Sequence, residues 1–309
     1  VVAGEGDGGL GGGVWIYQAV SDPGAVGSLG PNVFRGYSES VPFGGISGGA
    51  WNGVEGQLVT TPDNVFERQR IWTFALDEAS HRMNLVDELL LSTATGEPLT
   101  GYDPEGLSLN PEGGYVIATE GAARNGGSTS GACDGVPTQR NRLLFVTPEG
   151  RLDASVNETG IVDLPCAAQG DPNGIDWTAL TGNGFEGVAV VDTLPDAPGG
   201  LKAYVAFQRP LSGGVDAGNT TRIGEYDVDG GTWNFYFYTL EPNHAGPAAN
   251  VFLSDIAHLG GDEFVVVERD QRRTGTACIK RLYAFRLSTG AVNDSAKPVT
   301  KVLAADLLH

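Results

Sequence analysis

The chain has 309 residues, 38 of them acidic and 19 basic, for a formal net charge of −19 at pH 7. Its lysines are confined to Lys202, Lys280, Lys297 and Lys301, too few for a basic stripe, which argues against nucleic acid or an anionic membrane surface as a partner. No apolar run approaches the roughly 20 residues a spanning helix needs, so membrane insertion by a helix is not expected.

Glycine and proline, 47 and 17 residues, make up about a fifth of the chain and punctuate short Val-, Ile-, Leu- and aromatic-rich runs. Such spacing leaves little room for long helices. It predicts an all-β protein, organised as one domain over residues 1–309.

In chain order, the N-terminal segment, residues 1–40, holds one strand candidate at 13–20 (GVWIYQAV). A single grammar then recurs four times: a glycine-bearing turn, a small or acidic residue, a short apolar strand, a turn, and a second strand ending in a polar residue. The copies are 44–51 with 57–63 (GGISGGAW, QLVTTPD), 102–109 with 114–120 (YDPEGLSL, GYVIATE), 184–190 with 202–208 (GFEGVAV, KAYVAFQ), and 253–259 with 263–270 (LSDIAHL, EFVVVERD). Alternating strands follow each copy at 69–76, 142–147, 222–228 and 280–287, and a fourth strand is predicted at 233–240 (WNFYFYTL).

Recurrence of one first-strand motif, at Ser47, Glu105, Glu186 and Asp255, is the pattern of propeller blades rather than of a sandwich. Blades are expected to begin near Ile46, Leu107, Val188 and Ile256, in a β-propeller of about five or six blades. Residues 301–308 stand where a further inner strand would start. Either residues 1–40 complete the closing blade, or the sequence is a piece of a longer protein.

The ordered blocks YDPEGLSL, NGFEGVAV, LSDIAHLGGDEFVVVERD and KRLYAFRL resemble the phytase-like domain family, described as esterase-like activity of phytase, over roughly residues 40–290. The resemblance implies a secreted or periplasmic β-propeller with hydrolase activity on phosphoesters or carboxylic esters. It supplies no catalytic set. Two departures stand out: the first copy has Ser47 where others have an acid, and the chain stops where another acidic motif would follow.

Candidate chemistry centres on Glu105, Glu186 and Asp255. Carboxylates converging from separate blades repel unless neutralised, and a hard divalent cation, Ca²⁺ in preference, is the natural occupant. The competing reading is turn chemistry, each acid accepting backbone N–H bonds. Hairpin pairing would return Asp63, Glu120, Gln208 and Glu268 to the same strand ends, offering Glu120 and Glu268 as acid–base groups. Arg124, Arg209 and Arg269 lie beside them and suit a small anionic or ester substrate.

No nucleophile elbow is expected, which sets aside an ordinary α/β-hydrolase serine mechanism, and the histidines and cysteines show no zinc spacing. Of the three cysteines, either Cys133 and Cys166 form a disulfide with Cys278 left over, or the cysteines are buried free thiols. Acidity, scarce lysine and the absent initiator Met fit a mature exported protein. The sequence therefore suggests a metal-assisted phosphoester hydrolase. The alternatives are a carboxylic-ester or lactone hydrolase and a non-catalytic binding propeller using loops 121–141 and 209–221.

Overall fold

The computed structural model describes residues 45–64, 66–77, 79, 82–120, 141–167, 173–175, 184–193, 200–211, 216, 218–242, 251–272 and 277–308. Contacts gather them into two compact units, one running to Ile117 and including Phe145–Gly160, the other comprising Ala118–Leu144 and Ile161–His309.

Sixteen strands among the described residues form four four-stranded sheets, each with its strands side by side in chain order. The first sheet holds β1 (Ile46–Asn52), β2 (Gln57–Pro62), β3 (Arg70–Asp77) and β4 (Arg82–Leu90). The next holds β5 (Pro104–Leu109), β6 (Tyr115–Thr119), β7 (Arg142–Val146) and β8 (Ile161–Asp163), of which β6 and β7 pass from one unit to the other. Then follow β9 (Phe185–Asp192), β10 (Leu201–Phe207), β11 (Thr220–Asp227) and β12 (Thr232–Thr239). The last sheet is β13 (Val251–Gly260), β14 (Glu263–Asp270), β15 (Lys280–Arg286) and β16 (Lys301–Asp306).

These are the up-and-down blades of an all-β propeller fold, four in number among the described residues and not five or six. The overcount has a physical source. Residues 301–306 (KVLAAD) read as an apolar inner strand, yet they pair antiparallel with β15 as the outer strand of the last sheet, leaving Val302 67% and Leu303 50% exposed. Candidate strand 13–20 lies outside the described residues.

Position within each sheet governs composition. The first strand β9 (FEGVAVVD) is buried along all but its last residue, whereas β16 is exposed through its middle. In β14 the period-2 alternation is complete: Phe264, Val266, Glu268 and Asp270 point inward and their neighbours are only half-buried. The inward face of that strand thus begins apolar and ends acidic.

Each unit has its own core. In the first, Ile46, Leu58, Trp72, Phe74 and Leu85 pack together, with Phe66 meeting Trp72 edge-on at 5.5 Å. In the second, Tyr204 packs on Phe264 at 4.7 Å, and Phe264 stacks on Phe285 at 5.8 Å, within a cluster that also takes in Ile223, Leu253 and Val266. Burying one such side chain is worth about 1.5–3 kcal/mol, so these clusters dominate the favourable side of folding.

First strands also approach each other within a unit. A Cβ built on Gly48 would sit 2.6 Å from the Leu107 nitrogen and 2.8 Å from the Gly106 Cα, and one on Gly187 would sit 2.4 Å from the Ile256 nitrogen and 2.5 Å from the Asp255 Cα. Backbone, unlike a side-chain tip, cannot swing away. Gly48→Ala and Gly187→Ala should therefore each destabilise by roughly 1–3 kcal/mol through overpacking. Gly53→Ala, whose new methyl meets only the Trp51 ring at 3.8 Å, should change stability by less than about 0.5 kcal/mol. Urea denaturation of the three variants checks the contrast.

Candidate functional site

The hairpins deliver second-strand ends to first-strand starts. Ile46 pairs with Pro62 and Phe185 with Phe207, so Asp63 and Gln208 arrive beside the beginnings of β1 and β9. The Asp63 N–H donates to the Gly45 carbonyl, and the Gln208 N–H donates to the Gly184 carbonyl at 2.9 Å.

In the first unit, the close passage of β1 by β5 brings three carboxylates together. One oxygen from each of Asp63, Asp103 and Glu105 lies within 4.8 Å of the others. Asp103 and Glu105 are each only 7% exposed, and Asp63 is half-buried. The Ser47 hydroxyl donates to Glu105 Oε2, and the Gln69 side-chain amide donates to the Tyr102 carbonyl at 2.8 Å, pinning the segment that carries Asp103. Three hard oxygen donors at this spacing match the ligand chemistry of Ca²⁺ or Mg²⁺. Sequence reasoning placed Glu105 and Asp63 near this end but overlooked Asp103. The signal was present, since Asp103 stands only two residues before Glu105, on the segment that leads into β5.

Residues 45–49 also spell Gly-x-Ser-x-Gly, a match the sequence reading passed over. A nucleophile elbow needs a strand-to-helix turn, and here the strand simply runs on to Asn52. Ser47 instead occupies a β-bulge, the register of β1 against β2 shifting between Ile46 and Gly48.

Glu186 and Asp255 belong to the second unit. Glu186 is buried and accepts from the Gln208 side-chain amide. Glu120, also buried, accepts the Gly184 N–H at 3.2 Å, while Asn141 Oδ1 accepts the Phe185 N–H at 2.7 Å. Arg209 lies within the electrostatic reach of Glu120 and Glu186, and Arg269 Nε donates to Ser254 Oγ. Arg124 and Cys133 lie outside the described residues; Cys166 is disulfide-bonded and Cys278 is an exposed cysteine outside any disulfide.

The fourth copy of the motif is offset by one residue from its sequence alignment. Gly48 faces Gly106 and Leu107, and Gly187 faces Asp255 and Ile256. Ser254, at a register shift like that of Ser47, thus takes the place equivalent to Glu105. His258 is drawn into the β13–β14 hairpin turn, its Nε2 within 3.0 Å of the Gly261 carbonyl and its ring 5.1 Å from that of Phe264.

Glu268 is fully buried and accepts from the Tyr238 hydroxyl at 2.6 Å, the Glu241 N–H at 2.9 Å and the Lys301 ammonium. Lys301 also lies 3.3 Å from Glu241 and 4.2 Å from the Tyr283 ring centroid. Burial, then the Glu268 charge, pushes the Tyr238 hydroxyl far above its usual pKa, so it remains a donor. Three fixed donors of the chain, one of them a cation, thus engage Glu268.

Loss of hydration pushes the Asp255 carboxyl up to about 7, against the pull of the Ile256 N–H that it accepts at 2.8 Å. Between the unfolded value near 3.8 and 7, the folded chain holds a proton that the unfolded chain releases. Stability at this residue is therefore greatest below that window and falls as pH rises through it. Asp255→Asn keeps an acceptor for Ile256 and should abolish this fall, giving a variant more stable than the parent above pH 7. Thermal midpoints across pH 4–8 measure the difference.

A family model for the Phytase-like family, described as esterase-like activity of phytase, matches residues 41–309. No curated protein matches the chain. Among solved structures, a glucose dehydrogenase crystal structure is similar at 14% identity and a TM-score of 0.36, covering 90% of this chain and 76% of its own. The tail fiber of a Staphylococcus aureus phage is similar at 13% identity and a TM-score of 0.27, covering 82% of this chain and 51% of its own. On the match across its repeats, this chain belongs to the Phytase-like family, esterase-like activity of phytase.

Proposed function

We propose that the chain is an exported ester hydrolase acting on phosphoesters, with a divalent cation, Ca²⁺ in preference, held by Asp63, Asp103 and Glu105. The observation that supports this reading is the convergence of those three carboxylates, two of them buried, within 4.8 Å of one another. Each charge opposes the others, and burial sharpens the opposition, so a doubly charged partner relieves what protons would otherwise have to relieve. When bound, such an ion polarises the ester oxygen and acidifies a water molecule.

The chain's own residues do the rest. Ser47 fixes the orientation of Glu105, the Gln69–Tyr102 bond steadies the loop before β5, and the burial of Asp103 and Glu105 limits competing water. The Cys166 disulfide favours an oxidising compartment, in keeping with export. A second reading, a non-catalytic binding propeller, draws support from Glu268, which three donors of the fold itself engage.

Glu105→Gln and Asp103→Asn should each weaken Ca²⁺ binding at least tenfold and lower hydrolysis in parallel, because a neutral amide is the poorer ligand for a hard cation. Asp63→Asn, at the half-buried corner, should do less. Calorimetry with Ca²⁺ and Mg²⁺ measures the first effect. Phosphomonoesters, phytate, short acyl esters and lactones, assayed with and without chelator, measure the second; cation binding unchanged in both variants would return these acids to a structural role.

A further inference from the structure

The second unit sets two arginines against one aromatic ring, and one of them, Arg209, has a buried donor without a hydrogen-bond partner. Arg209 follows β10 and lays its guanidinium over the Phe252 ring, Cζ standing 4.3 Å from the centroid. Arg269, the cross-strand partner of Phe252, approaches the same ring with Cζ at 5.8 Å. Ser254 Oγ takes the Nε hydrogen of Arg269. Arg209 has no such partner: its Nε is shut off from solvent and makes no hydrogen bond, and Arg209 forms no ion pair among the described residues.

An arginine in this position is unusual on energetic grounds. A buried donor left unmatched costs about 1–3 kcal/mol, more when charged, and a second guanidinium on the same ring adds like-charge repulsion. Loss of hydration lowers the Arg209 pKa and Arg269 acts the same way, while Glu120 and Glu186 pull upward without removing the shift. Neither carboxylate closes on Arg209, for Glu186 is engaged by Gln208 and Glu120 by the Gly184 N–H. Cation–π contact with Phe252 uses the ring side of the guanidinium and leaves its hydrogen-bonding fork to be satisfied by something else.

We propose that Arg209 and Arg269, seated on Phe252, form a binding subsite for the oxyanion group of a ligand, phosphate or carboxylate, that works without a metal ion. An oxyanion brings two acceptor oxygens to the Arg209 fork and offsets the repulsion between the two cations. Phe252 acts as the positioning residue. The proposal deepens the reading of the chain as one that takes an anionic substrate, but binding at this subsite does not depend on hydrolysis.

The test is calorimetry on the full chain in excess chelator at fixed ionic strength, with inorganic phosphate, sulfate and acetate as separate probes. One or more of these anions is expected to bind, with Arg209→Gln and Arg269→Gln each weakening it at least tenfold and Phe252→Leu weakening it several-fold. Phosphate and sulfate binding together over acetate would assign a tetrahedral group, and the reverse a carboxylate. Arg209→Lys keeps the charge but lacks Nε, so it should fall near Arg209→Gln rather than near the parent. Should Arg209→Gln fail to fold, the lysine variant and the anion-dependent rise in the parent's thermal midpoint carry the same comparison. No binding of any of the three anions, or binding equal in parent and Arg209 variants, overturns the subsite. Loss of ester hydrolysis in chelator with anion binding intact would count against neither the subsite nor the metal reading, whereas metal-independent hydrolysis would sink only the latter.

Discussion

Two backbones pass so close at Gly48 and again at Gly187 that no side chain fits between them, and the arrangement of polar groups in each unit follows from that crowding. With no Cβ available to fill the gap, neighbouring first strands come within backbone contact, and the residues beside each glycine are forced across the gap toward the facing strand. Ser47 thereby reaches Glu105. The bulges at Ile46/Gly48 and Leu253/Asp255 belong to the same constraint, because a strand that must both pair with its hairpin partner and graze its neighbour needs one extra residue to turn the side chain at that point.

Much of this was legible in the sequence. Alternation and turn residues located the first three strands of each sheet but not β4 or β8, and the four motif copies marked the four sheets, with starts at Ile46, Pro104, Phe185 and Val251 against the expected Ile46, Leu107, Val188 and Ile256. Hairpin geometry alone was enough to bring Asp63 and Gln208 to the strand starts. Other features were hidden for identifiable reasons. An outer strand such as β16 carries Val302 and Leu303 to solvent, and hydropathy does not distinguish it from an inner strand that buries them. The bulge in β13 shifts the register by one residue, and since side chains alternate with period 2, that single step puts Ser254 rather than Asp255 in the place that Glu105 holds in the first unit. The partner of a buried acid is harder still to foresee: Lys301 is 33 positions from Glu268 and gave no sign of pairing with it.

Charge in an acidic chain has to be placed as well as counted. Most buried acids of the second unit come with fixed partners: Asp216 with Arg222 at 2.7 Å, Glu225 with Lys202 at 3.1 Å and with the Tyr204 hydroxyl at 2.8 Å, Asp270 with Lys280 at 2.9 Å. Few as they are, the lysines are spent on this task, three of the four lying against buried or half-buried carboxylates. Removing one partner from such a pair leaves a buried charge unmatched, a loss of about 3–5 kcal/mol, so these pairs are fixtures of the fold and poor choices for groups that must exchange protons.

That sorting separates structure from function more sharply than the recurrence of acids along the sequence. Glu268 sits at a repeat position and is buried, but its three donors are all parts of the chain, so folding itself satisfies it. Asp63, Asp103 and Glu105 are gathered from two strand ends, one oxygen of each within 4.8 Å of the others, with the Ser47 hydroxyl donating to Glu105. Arg209 presents the opposite case, a positive group whose buried Nε the fold leaves unsatisfied. A chain under selection for stability alone would pair such groups, as it does at Asp216, Glu225 and Asp270. Asp103 Oδ1 in one unit and Arg209 Nε in the other, buried atoms without a hydrogen-bond partner, are what a protein that binds a cation and an anion would carry.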